Sequence, residues 1–158
     1  MNNISKIILG LVFVFLLTGY VLNSNSKKIT CNMGERSLSE DEEVTIISKV
    51  EVDYNEDIVT KVTVIDKYKT SDKKVLTFLN HRFENEGRVS SIFFDSNRYD
   101  YSIKKRGTSI SKIIEYKELD NDNHLEENPF FIDLINDDGN INLDSLIKGY
   151  EKIGYLCN

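Results

Sequence analysis

Strict alternation of apolar and polar positions begins at Val44. Val44, Ile46, Val50, Val52 and Tyr54 fall on one face, with Thr45, Lys49, Glu51 and Asp53 opposite. That is the pattern of a half-buried antiparallel strand. Asn55, Glu56 and Asp57 supply a turn, and Ile58 to Tyr68 continues with Val62 and Val64 facing inward, which predicts a β-hairpin. The period then lengthens. Val75, Leu76, Leu79 and Phe83 recur at helical spacing, with Ser71 as the N-cap, Asp72 in the positive field of the helix start and Gly87 closing the segment.

Three further strands are expected at Val89–Phe94, Tyr99–Lys105 and Ile110–Lys117, separated by short polar turns that imply a meander. Residues 118–129 form an acidic loop, and Phe130–Ile135 has the length of a short helix or strand. Asn142 caps a last helix with Leu143, Leu146, Ile147 and Tyr150 on its apolar face, stopped by Gly154. The order is ββ-α-βββ-α. It predicts an α+β domain over 43–158, an antiparallel sheet with helices packed on one face.

Ahead of that domain the chain is different in kind. Ile7 to Leu22 is uncharged and apolar, preceded by Lys6 and the amino terminus, so residues 1–26 read as a signal anchor or transmembrane segment. Sixteen helical residues cover about 24 Å, and Asn23 to Ser26 at headgroup level make a span of the ~30 Å hydrocarbon core feasible. Cleavage after Ser26, with Ser24 and Ser26 as the small residues, would instead release a secreted form of the same domain. Leu16-Leu17-Thr18-Gly19 has the look of a lipobox, but Tyr20 stands where the lipid-bearing cysteine belongs, which rules out lipidation there. Residues 27–42 lack periodicity and are expected to be a linker. Flanking charge is nearly balanced, Lys6 against Lys27 and Lys28. The short N-terminal tail and the cysteines favour an extracytoplasmic C-terminal domain on the bacterial cytoplasmic membrane.

Cys31 and Cys157 are the only cysteines and bracket the polar region, so an oxidising compartment permits one intramolecular bridge. The chain has 158 residues, enough for one domain and its targeting segment. Beyond Thr30 lie 17 basic and 26 acidic residues, a net −9, which argues against nucleic acid as a partner and against adhesion of the domain itself to anionic lipid. Ala, Gln and Trp are absent while Ile, Asn and Lys abound, as in AT-rich bacterial coding sequence.

Candidate chemistry is sparse. Around Gly139 an EF-hand-like register places Asn136 and Asp138 at ligand positions and Ile141 at the apolar one, with Asn142 beside them. The same register puts Leu134 and Ser145 where the strongest ligands belong. An Asp-Gly turn followed by an Asn142 helix cap explains the same residues without calcium. His81 and His124 stand 43 positions apart, neither with the neighbours of a general base or metal ligand. No G-x-S-x-G, CxxC or Gly-rich phosphate loop occurs. No enzymatic activity and no cofactor are therefore expected. Phe93, Phe94, Tyr99 and Tyr101 form an aromatic cluster whose alternation sends one Phe away from the helix-covered side, a candidate partner surface.

The hairpin EVTIISKVEVDYNEDIVTKVTVIDKYKT, the helix after Ser71, the following strands and the terminal NLDSLIKGYEKIGY helix resemble, in order, the YehR-like small bacterial lipoproteins over most of residues 43–155. The resemblance implies an envelope-anchored α+β domain and supplies no active-site residue. Here the lipobox cysteine is missing and a terminal cysteine pair is present. The expectation is a membrane-anchored, non-enzymatic envelope domain that binds a protein or small ligand. The alternative is a calcium- or cation-responsive module using acidic segments 118–128 and 136–144.

Overall fold

Val50 and Val52 on one strand and Val62 and Val64 on the next pair directly across the hairpin that begins the core. Its strands are β2 (Thr45–Asn55) and β3 (Ile58–Lys69), joined through Glu56 and Asp57. The computed structural model describes residues 26–38, 44–93, 97–119, 131 and 134–158. In these the hairpin is flanked by β1 (Lys27–Ser37), β4 (Tyr99–Arg106), β5 (Ser109–Tyr116) and the two-residue β6 (Leu156–Cys157), with helices α1 (Lys73–Phe93) and α2 (Leu143–Lys152). The sheet is antiparallel throughout, in the order β4-β5-β3-β2-β1-β6.

Several assignments change relative to the pattern. The lead-in expected to be linker is β1 over Lys27–Ser37, which pairs along nearly its whole length with β2. A bulge between Met33 and Arg36 interrupts its alternation, so the pattern is hidden in the sequence. Val89 to Phe93 continues α1 instead of starting a strand. Three strands still follow α1, but the third is β6, after α2. Gly87 lies inside α1, and the N-cap oxygen is that of Asp72, not Ser71. Its Oδ1 accepts from the backbone N–H of Lys74 at 2.6 Å and of Val75 at 3.4 Å.

Both helices cover the same face. Register aligns Ile29, Val52, Val62, Tyr116 and Tyr99 in one row, and Cys31, Val50, Val64, Ile114 and Tyr101 in the next. α2 closes over the β1–β2–β3 part with Leu143, Leu146 and Tyr150 in a core that includes Cys31, Val50, Val52, Val62 and Phe131. α1 closes over the other part with Leu79 and Phe83 against Ile110, Tyr68, Tyr101 and Ile103. The uncovered face carries charge. Lys28 reaches Glu51 at 3.0 Å and Asp53 at 3.5 Å, and Lys49 and then Lys28 hold the Glu51 carboxyl below its ordinary range. Such exposed pairs contribute little to stability. Lys104, Lys105 and Arg106 on edge strand β4 discourage pairing with another chain.

The ends of the domain meet. Cys31 and Cys157 are cross-strand partners and form a disulfide with Cα atoms 3.9 Å apart. Thr30 and Asn158 exchange backbone hydrogen bonds of 3.1 and 2.9 Å beside it. Among the described residues no helix is long and apolar enough to cross a membrane, and Ile7–Leu22 lies outside them.

Candidate functional site

α1 presents Phe78, Arg82, Glu86 and Val89 along one flank, at spacings of four, four and three residues, so they line up on one side of the helix. Opposite them the sheet offers Tyr99, Tyr101 and Ile114. Together they enclose a cleft of about 680 Å³. A second hollow of about 210 Å³ lies between the sheet and α2, lined by Val64, Ile114, Tyr116, Tyr150, Ile153 and Tyr155. Ile114 belongs to both. The floor between the two helices is therefore aliphatic and aromatic, and Phe78 and Val89 stand exposed on the α1 rim.

The close approach of sheet to helix depends on Gly87. A Cβ there would lie 2.6 Å from Cδ1 and 2.9 Å from Cε1 of Tyr101, closer than atoms can pack. The Tyr101 ring thus lies on bare helix backbone, and its hydroxyl donates to Glu86 Oε2 at 3.3 Å. Glu86 also takes Arg82 Nε at 3.3 Å and Lys112 Nζ at 3.6 Å. With three partners, most of its lone pairs are engaged. Lys112 additionally sits 5.5 Å from the centre of the Phe83 ring, a cation–π contact.

Lys112 belongs to a polar seam between the two cores. Met33, Ser48, Asp66, Lys112 and Ile103 are aligned in register across the covered face. Ser48 Oγ donates to Asp66 Oδ1 at 2.7 Å and receives Arg36 Nη2 at 3.3 Å. Arg36 reaches this side because of the β1 bulge. Ser48 is buried, and a buried hydroxyl stays inside only when it is partnered.

Burial drives the tyrosine chemistry. It pushes the phenols of Tyr68, Tyr99, Tyr101, Tyr150 and Tyr155 above their ordinary value of 10.0, and the neighbouring Glu86 charge adds to this at Tyr101. At Tyr99 the hydrogen bond with Ser90, and at Tyr155 the one with Ser48, work in the opposite direction. A folded value above the unfolded one means stability that is complete below pH ~10 and is lost as pH rises past it. We expect an alkaline unfolding transition above pH 10 in which phenolate absorbance of these residues appears together with loss of near-UV dichroism. Smooth phenolate titration inside an intact fold would contradict the burial.

The residues singled out by sequence separate here. Asn136 Oδ1 accepts from the backbone N–H of Asp138 at 3.1 Å and of Asn140 at 2.9 Å, and Gly139 takes φ +78° in that turn. Asn142 Oδ1 accepts from the Ser145 N–H at 3.2 Å, a helix cap. These oxygens close a turn and start a helix, while Asp138 is exposed. Among the described residues no three His, Cys, Asp or Glu side chains gather as a metal would require. His81 lies on the cleft side of α1, exposed, with Nδ1 3.5 Å from Glu84. His124 and residues 120–130 of the acidic loop lie outside the described residues, as does Phe94. Tyr99 and Tyr101 enter the cleft, whereas Phe93 is exposed at the end of α1. Arg82, Glu86 and Lys112 were not among the sequence candidates. Their one signal was Gly87, a glycine inside an otherwise helical run.

No family profile and no curated relative matches the chain. Among solved structures it is similar to the NMR structure of a protein from Streptococcus pneumoniae TIGR4, with a TM-score of 0.50 and 10% identity, covering 86% of this chain and 87% of that one. At that identity the likeness is one of fold.

Proposed function

We propose that this protein is a non-enzymatic binding module of the bacterial cell envelope, tethered to the cytoplasmic membrane by residues 7–22 with its C-terminal domain outside. Its ligand is an elongated molecule with an apolar body and a polar end, held between α1 and the sheet. The observation that carries this reading is the 680 Å³ cleft with Tyr99, Tyr101 and Ile114 along its floor and Arg82 and Glu86 on one wall. Ligand sites commonly have this make-up, mostly apolar with a few fixed polar groups. The Glu86 carboxylate, shared among its three partners, is better suited to holding the wall in place than to moving a proton.

The bridge between Cys31 and Cys157 supports an oxidising location, and the uncharged run Ile7–Leu22 supports the tether. The resemblance of the sequence pattern over residues 43–155 to the YehR-like lipoproteins also favours an envelope location. Titration of isotope-labelled protein with octyl glucoside below its micelle concentration tests the cleft. Saturable amide shifts are expected at Arg82, Glu86, Val89 and Tyr101, and Val89→Lys should weaken the apparent affinity about tenfold, the order of 1.4 kcal/mol. Shifts scattered over the surface, or unchanged by Val89→Lys, would remove this reading.

A further inference from the structure

We infer that the exposed end of α1, Ile92 and Phe93, rests in the lipid interface of the membrane that carries residues 7–22. The inference builds on the tether proposed above and adds which side of the domain faces the bilayer. α1 runs antiparallel to β4, with Gly87 on Tyr101 and Ser90 hydrogen-bonded to Tyr99. Phe93 therefore lies about 4.5 Å beyond the Tyr99 row, at about 1.5 Å per helical residue. Lys27, where the described strand β1 begins, pairs with Tyr54 two positions beyond that same row, or about 7 Å along the strand. The helix end and the entry of the chain are thus at one end of the domain.

Residues 23–26 separate Leu22 from Lys27, a reach of at most about 17 Å for an extended chain. A domain held that closely meets the bilayer with this end. Ile92 and Phe93 are 73% and 75% exposed there. Arg98 and Lys117, joined by a backbone hydrogen bond of 2.7 Å, lie at the Tyr99 end of the sheet, each near an acid, Glu118 at 3.7 Å and Asp100 at 4.0 Å. At the same end Lys27 is basic and Lys28 is paired with Glu51 and Asp53, whereas Glu56 and Asp57 at the β2–β3 turn are acidic. The acidic hairpin tip reaches further out along the sheet than Phe93, so the α1 corner makes contact when the domain tilts toward α1 and away from that tip. A second copy of the chain is a poor occupant. Two side chains expose far less than the roughly 1,200 Å² that a stable protein interface buries, while exposed apolar side chains at the end of a helix suit the interfacial region of a bilayer.

The chain contains no Trp, so Phe93→Trp creates a single reporter. The full chain, reconstituted in vesicles of phosphatidylcholine and phosphatidylglycerol, should show blue-shifted emission for Phe93→Trp and at least twofold quenching by lipid brominated near the headgroup end of the acyl chain. Phe78→Trp, fifteen residues back along α1 and about 22 Å away, should stay water-like and unquenched. Vesicles that carry the protein yet quench neither reporter overturn the inference and leave the tether standing. Protein that fails to float with the vesicles removes the tether and the inference together. A blue shift that grows with protein density and ignores bromine points to a second copy and also overturns it.

Discussion

Replacing both Cys31 and Cys157 by serine lowers the unfolding free energy by about 5 kcal/mol. The bridge closes a loop across 126 positions, and the chain-entropy relation gives about that value for so long a loop. The cost falls unevenly. β6 has two ladder pairs with β1 and the Thr30–Asn158 exchange beside them, so without the bridge it detaches before the rest. Cys31 is fully buried in the α2-side core, so a serine there adds a desolvated hydroxyl. Denaturant titration with and without reductant measures the effect. A lower midpoint in reductant, matched by the double serine variant, is the expected result. An unchanged midpoint would mean that the terminal strand is held by packing alone.

Gly87→Ala is expected to destabilise the fold by about 2 kcal/mol, although alanine is worth about 1 kcal/mol more than glycine inside a helix. The reason is the Tyr101 ring, whose Cδ1 stands 2.6 Å from the new methyl position. That contact is with the ring near its base, not with the tip of a flexible side chain, so relief requires the helix or β4 to move. Overpacking of this kind costs about 1–3 kcal/mol. The sign should reverse in a Tyr101→Ala background, where the same substitution becomes stabilising by up to ~1 kcal/mol. A double-mutant cycle by thermal or chemical denaturation reads the reversal. If Gly87→Ala is stabilising in the parent chain, the close approach of α1 to β4 is wrong, and the cleft beside it loses its floor.

The two predictions rest on features of different legibility. Two cysteines allow a single pairing, so their partnership needed only an oxidising compartment. The Gly87 contact was hidden. A glycine after Phe83 and Glu86, followed by the β-branched Val89, resembles a helix end, and Val89 to Phe93 is an apolar run that periodicity alone assigns to either state. Docking against the sheet resolves it, because Gly87 on Tyr101 and Ser90 on Tyr99 extend the helix past the point where the local signal stops. β1 was missed for a related reason. Gly34 and Glu35 form the bulge that places Arg36 beside Met33 on the covered face, and a two-residue period cannot survive that insertion.

Local composition alone determined the β2–β3 hairpin, the capped helix α2 and the identity of the disulfide partners, since each depends on neighbours in the chain or on the absence of competitors. The tertiary structure decided where α1 ends, that residues 27–37 pair in the sheet, and that Arg82, Glu86, Lys112 and Tyr101 meet. These residues come from α1, β4 and β5, and a contact across three elements is set by register and packing, which no periodicity within a single segment encodes.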